Sequence, residues 1–335
     1  MGRAPAPAPR GRPTALATMS TRLAALGGPI LTETTSGDDR SAILRGILFM
    51  VGATMLFVWM NAGVKLLSPH LPVVELIWAR SLGHLLFMVA IFAPGHGWWR
   101  LFVTRKPAVQ VARSLLLISS TSFFFTALGF VPLADATAVS FTAPILVAAL
   151  AGPVLGERVG LGHWLAIGAG FCGALVITRP GGEGTNPYTL LVLGSASCYA
   201  GYQILTRHVG RFDPPETSVT YSALVGTVAL SCVVPFFWKA PDRLTHWLIL
   251  GALGVLGALG HYCVARAFLW GPAARISPFH YIQLVWAAGV GFLVFGEVPS
   301  LWTWAGAAII IVSGLYIALG ETRATSPSSR PRRGG

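Results

Sequence analysis

Charged residues recur along this chain at one spacing. Arg113, Asp135, Glu157 and Arg179 stand 22 residues apart, as do Arg275 and Glu297, while Arg243 and Arg266 are 23 apart, and so are Glu216 and Lys239. The intervals between them are mostly apolar. An α-helix rises 1.5 Å per residue, so about 20 residues cross a hydrocarbon core of about 30 Å. The spacing therefore predicts an all-α membrane protein with ten spans, near 46–65, 72–93, 108–131, 135–155, 160–178, 187–206, 217–238, 245–268, 273–295 and 299–319. A membrane β-barrel needs segments of about ten alternating residues, and the sequence has none of that pattern.

Composition agrees. Charged residues make up 11% of the chain and hydrophobic ones 54%, whereas a soluble domain carries about 25% charged residues. The net charge of +12 invites a nucleic-acid reading, but the bases sit in tails and short loops between apolar runs. That distribution suits attraction to the anionic cytoplasmic leaflet, with no groove for nucleic acid. The lipid bilayer is the expected partner. Cys172, Cys198, Cys232 and Cys263 lie inside apolar runs without metal-ligand or paired spacing, so they read as small core residues.

Residues 1–40 and 321–335 form polar, basic tails with no continuous apolar run, so neither is a signal peptide or a span, and both are expected to be disordered. With both tails on one side, nineteen Lys and Arg residues fall on that side. Only Lys65, Arg179, Lys239 and Arg243 fall on the other, and Arg80 is left within the second span. The positive-inside rule then puts both termini in the cytoplasm of a multi-pass inner-membrane protein.

The chain also repeats itself. An offset of 140 lays Pro132 on Pro272, Gly156-Glu157 on Gly296-Glu297 and Trp164 on Trp304. At an offset of 142, Gly52 falls on Gly194, Asn61 on Gln203 and Lys65 on Arg207. Two units of five spans follow, 43–180 and 185–320. Five is odd, so the second unit must be inverted relative to the first. Inverted repeats are a recurring construction of secondary transporters.

The stretch PLADATAVSFTAPILVAALAGPVLGERVGLGHWLAIGAGFCGALVITRPG (132–181) resembles the EamA domain of the drug/metabolite transporter superfamily. So does VVELIWARSLGHLL (73–86), whose Glu75 and Arg80 match the acid and arginine typical of that family's second helix. The second copy resembles it more loosely: Arg275 stands for Asp135, and Gln283-Leu284 for Ala143-Pro144. The resemblance covers about 43–320. It implies ten helices, cytoplasmic termini, a cavity between inverted halves and a small organic substrate such as an amino acid, nucleoside or vitamin.

No enzyme motif or cofactor fingerprint occurs: GxxxxGK[ST], HExxH and GxSxG are all absent. Polar groups inside spans are the informative ones, because lipid burial costs several kcal/mol unless they face protein or water. Span 9 carries His280, Gln283 and Trp286 at helical spacing, on one face. Span 8 has a stripe of Gly251, Gly254 and Gly257 leading to His261 and Tyr262, and glycine there lets a neighbouring helix approach closely. Span 6 offers Tyr199, Tyr202 and Gln203, span 1 Trp59 and Asn61, and span 4 Thr142. These residues are the candidate substrate-binding set. Glu75, Arg80, Glu157 and Glu297 are candidate gate or structural charges. Arg80 lies deep in span 2, with His84 one turn on, and calls for an acid partner or for water. No carboxylate sits in the middle of a span, so proton coupling would lean on His84, His261 or His280. Uncoupled movement, and a homodimer, are equally admissible on sequence.

The leading reading is a secondary transporter of a small organic metabolite working by alternating access. The alternative is a polytopic membrane enzyme or sensor using the intramembrane histidines. An enzyme would concentrate polar groups in one half, whereas here they occur in both.

Overall fold

Prolines and glycines punctuate the apolar runs and so set where helices begin and stop. The computed structural model describes residues 36–96, 101–155, 160–179, 186–271 and 273–325, and no strand occurs among them. The helices are α1 (Ser36–Leu67), α2 (Val73–His96), α3 (Pro107–Leu128), α4 (Leu133–Ser140), α5 (Thr142–Leu155), α6 (Leu161–Thr178) and α7 (Thr189–Val209). They continue as α8 (Pro215–Ser231), α9 (Leu244–Leu269), α10 (Ala273–Ile276), α11 (Gln283–Phe295) and α12 (Leu301–Thr325). Pro107 and Pro215 open α3 and α8, where their missing N–H costs nothing. Gly296, at φ +69°, closes α11 in the left-handed conformation that glycine adopts without strain.

Eight segments are long and apolar enough to cross a membrane, and Leu301–Ile317 is a shorter apolar helix. The ends differ from the charge-based expectation, because α1 already begins at Ser36 and α12 reaches Thr325. The rest of both tails lies outside the described residues.

Two expected spans are not continuous helices. Span 4 breaks at Phe141, between α4 and α5. Pro144 cannot donate to the carbonyl of Ser140, and Ser140 and Thr142 turn their hydroxyls onto Thr137 O (2.7 Å) and Val139 O (2.8 Å). Span 9 is interrupted by a 3-10 stretch, Ser277–Ile282, which contains Pro278. At the offset of 140, Phe141 falls on Tyr281. These two residues meet edge to face, ring centroids 4.9 Å apart.

Helix α9 packs on α1 and α2, α3 on α7 and α8, α6 on α12, and α11 on α1 and α4. The α2–α9 contact is made backbone to backbone. A Cβ on Gly83 would lie 2.9 Å from the Cα of Gly254, closer than any side chain tolerates. Of the expected glycine stripe, Gly254 and Gly257 face neighbours, while Gly251 is exposed with nothing within 4 Å of a Cβ.

Polar contacts tie the helix ends. Lys65 pairs with Glu297 (2.5 Å) and donates to Val131 O (2.6 Å); Glu297 accepts from Leu133 N (2.9 Å), and Thr303 donates to Asp135 (2.7 Å). These residues gather the ends of α1 and α11 with the starts of α4 and α12 on one surface. The start of α3 lies at the opposite one.

The packing gives a stability prediction. Gly254→Leu forces α2 and α9 apart, and overpacking of this kind costs about 1–3 kcal/mol. A lowered melting temperature in detergent is expected for it, with Gly251→Leu close to wild type. Equal melting of all three proteins contradicts the close contact.

Candidate functional site

Gly83 and Gly254 each lie ten residues beyond the start of their helix, at Val73 and Leu244. Ten residues of helix rise about 15 Å, half of a core of about 30 Å. The α2–α9 crossing therefore sits near mid-membrane, and α2 turns Arg80 and His84 to either side of it. The Arg80 stem lies over Gly257, where a Cβ would come within 3.5 Å of Nε. Its guanidinium is 5.9 Å from the Phe125 ring centroid. Arg80 is 9% exposed and His84 6%. Arg80 Nε and His84 Nε2 are buried without hydrogen-bond partners.

The His84 and His261 rings stack at 5.5 Å and 11°, and Phe57 meets His261 edge-on at 5.0 Å. Tyr199 and Tyr202, stacked on each other at 5.5 Å, lie within electrostatic reach of Arg80 from α7. A small cavity opens on this group. It is lined by Ile77, Arg80, Ser81 and His84 of α2, Leu117, Ile118 and Thr121 of α3, and Ser222 and Ala223 of α8.

A second cation stands beside it. Arg113, fully buried, donates to Thr206 (2.7 Å), Gln110 (2.8 Å), Ser218 O (2.8 and 3.0 Å), Ser222 (3.0 Å) and Tyr202 (3.3 Å). Its ring contact with Tyr202 is 4.8 Å. Gln110 continues the network to Asp213 (2.9 Å), which also accepts from Arg105 N (2.9 Å) and from the Thr104 hydroxyl. Burial alone would raise the Asp213 carboxyl, but these hydrogen bonds outweigh it and hold it below the usual carboxylate range.

Of the candidates read from sequence, Arg80, His261, Tyr199 and Tyr202 come together here. Gln203, on the same helix, is exposed. Trp59 is 47% exposed on the outer face of α1, with Leu48 and Leu66, while Asn61 is buried on the inner face. Tyr262 is half-buried on α9. Thr142 commits its hydroxyl to the α4–α5 break. His280, Gln283 and Trp286 do not share one regular helix, because the 3-10 stretch carries His280 and α11 starts at Gln283. His280 approaches Phe141, with ring centroids 6.0 Å apart; Gln283 is buried, and Trp286 Nε1 is buried without a partner.

Of the two alternatives for Arg80, an acid partner or water, the first is not met among the described residues. Among the described residues no carboxylate pairs with Arg80, and Glu75 accepts instead from Lys239 N (3.2 Å) at the start of α2. Five residues separate the two, which turns them to different faces. Glu297 takes the Lys65 pair described above, and Glu157 lies outside the described residues. Sequence reasoning missed Ser81, Thr121, Ser222 and the Arg113–Asp213 network. The signal for Arg113 was its position six residues inside the run that opens at Pro107.

Unpartnered donors, hydroxyls and aromatic faces around a mid-membrane cavity can bind a small polar molecule. Among the described residues no serine or threonine hydroxyl there is hydrogen-bonded to a histidine. The model of the EamA-like transporter family matches residues 44–179 and again 186–319. The chain belongs to that family. It is a multi-pass membrane transporter of small metabolites, not an enzyme. It is 32% identical to the pseudopaline exporter of Pseudomonas aeruginosa over 83% of this chain and 96% of that one. It is 32% identical to the riboflavin transporter of Vibrio cholerae over 66% of this chain and 74% of that one. The S-adenosylmethionine uptake transporter of Rickettsia felis is 30% identical over 67% and 76%. A solved crystal structure at 20% identity shares the fold, with a TM-score of 0.57 over 86% of this chain and 99% of that chain.

Because the folded Asp213 carboxyl titrates below its unfolded value, it contributes stability above about pH 4 and loses it as pH falls through the folded value. Melting curves of wild type and Asp213→Asn should therefore differ most near neutrality and converge towards pH 3. A gap that is constant with pH contradicts this role.

Proposed function

We propose that the chain moves a small organic metabolite across the bacterial inner membrane by alternating access, with both termini in the cytoplasm. The observation that carries this reading is the small cavity between α2, α3 and α8, near mid-membrane, on which the buried Arg80 opens. Transporters built from inverted halves place their sites there.

Ten spans are the eight long apolar segments together with α7 and α12, the former carrying Arg207 and His208 at its end. An inverted arrangement of spans 1–5 and 6–10 is supported by the packing. The contact of α1 with α9 has its counterpart in α7 with α3, and that of α2 with α9 in α8 with α3. The cavity supports it too. At the offset of 140, Leu117 and Thr121 on α3 fall on Gly257 and His261 on α9, and both pairs border Arg80 or its neighbour His84. The paired breaks at Phe141 and Tyr281 lie where α4 meets the span containing α11, a place suited to flexing between the halves.

In this reading Arg80, His84, His261, Tyr199 and Tyr202 bind substrate, and His280, Gln283 and Trp286 line a further part of the path. The Lys65–Glu297 pair and the Arg113–Asp213 network close opposite surfaces. Riboflavin, S-adenosylmethionine and pseudopaline, named for relatives, are the substrates to try first.

Two measurements check this. Reporter fusions before Ser36 and after Thr325 are expected to read as cytoplasmic and one after Arg179 as periplasmic; disagreement at either end breaks the ten-span count. A chain with its four cysteines replaced and Ser81→Cys introduced should react with an impermeant thiol reagent applied from either side of oriented vesicles. Reaction from one side only, in every condition, contradicts alternating access.

A further inference from the structure

We infer that the transported molecule carries an anionic group, a carboxylate or a similar oxyanion, and that Arg80 receives it. The inference rests on the transport reading above and names the chemistry of its substrate.

Arg80 lies seven residues into α2, about 10 Å below the helix start. Among the described residues it forms no ion pair and donates no hydrogen bond. Its contacts are a phenylalanine ring and a glycine backbone. An unpaired buried cation is costly, and removing one partner of a pair leaves the same kind of penalty. The surroundings do not relieve it. His84, His261, Tyr199 and Tyr202 stand within electrostatic reach of the guanidinium, and none is a carboxylate; His84 Nε2 is itself buried without a partner. The neighbouring arginine differs in kind: Arg113 is saturated by acceptors from three residues of α3 and α8 and two of α7. The contrast separates a structural cation from one held for a ligand.

An oxyanion in the cavity would meet the guanidinium fork, the geometry best suited to a carboxylate. Ser81 adds a hydroxyl to the cavity wall, while the hydroxyls of Thr121 and Ser222 donate to Leu117 O and Ser218 O of their own helices. Tyr199 and Tyr202, stacked on each other on α7, stand within electrostatic reach of Arg80.

The test uses the full chain in proteoliposomes and in detergent. Counterflow of S-adenosylmethionine is compared with competition by its methyl ester, and aromatic amino acids with their amides, alongside neutral riboflavin. The acid of each pair should compete about tenfold or more better than its neutral partner. That preference should vanish in Arg80→Gln and persist in part in Arg80→Lys. Ligand-free Arg80→Gln should melt at or above the wild-type temperature, because no acid is left stranded. A lower melting temperature, restored by Arg80→Lys, makes Arg80 a structural ion-pair residue and overturns the proposal. Equal competition by acids and neutral partners, or a preference unchanged in Arg80→Gln, overturns it as well while leaving transport intact. If nothing moves through wild-type protein, the transport reading falls and this inference with it.

Discussion

The backbone contact between Gly83 and Gly254 governs much else in this molecule. Helices carrying ordinary side chains keep their axes 8–10 Å apart, and a larger residue at either position would wedge this pair open. Because they meet so closely, the residues on either side of the contact are pressed into the same small volume. Arg80 is laid over Gly257, and His84 is stacked on His261. A charge that could have reached a membrane surface is thereby kept near the middle. In lipid such a placement is tolerated only where it faces protein or a water-filled space.

Two arginines then divide the work. Arg113 is a structural cation, with acceptors on α3, α7 and α8, and through Gln110 it reaches Asp213 at one surface. Arg80 faces an aromatic ring, histidines, hydroxyls and aliphatic side chains, and among the described residues no carboxylate pairs with it. They are connected through Ser222, which accepts from Arg113 and lines the cavity that Arg80 opens on. A molecule entering the cavity therefore acts on a group coupled to the latch at that surface. The opposite surface is held by Lys65, Glu297 and the start of α4. The two polar clusters lie at opposite surfaces on different sets of helices, and the cavity lies at depth between those surfaces.

Much of this was legible in the sequence, for a definite reason. Charges cannot be scattered through lipid, so their spacing reports span length directly, and the depth of Arg80 could be counted along the chain. The breaks at Phe141 and within 277–282 were not read. An apolar run carries no periodic signal of the local contest between proline, hydroxyls and the helical hydrogen bonds, although Pro144 and Pro278 were visible. Sequence left Arg80 with either an acid partner or water. Which groups face it depends on how α2, α7 and α9 are brought together, and that is a tertiary matter. Trp59 and Gln203 show another limit. The repeat relates positions along the chain, but it does not say which face each helix turns outward: Asn61 is buried while its repeat mate Gln203 is exposed.

Among the described residues, a lone guanidinium stands at the cavity between α2, α3 and α8 with no carboxylate beside it. A cryo-electron-microscopy structure of the ligand-free protein in lipid nanodiscs, resolved well enough to place the Arg80 side chain, tests this most directly. The account predicts the guanidinium over Gly257, facing the cavity, with every carboxylate oxygen of the chain beyond ion-pair distance of about 4 Å. A guanidinium bonded to Glu75 or to another acid of the chain would contradict it.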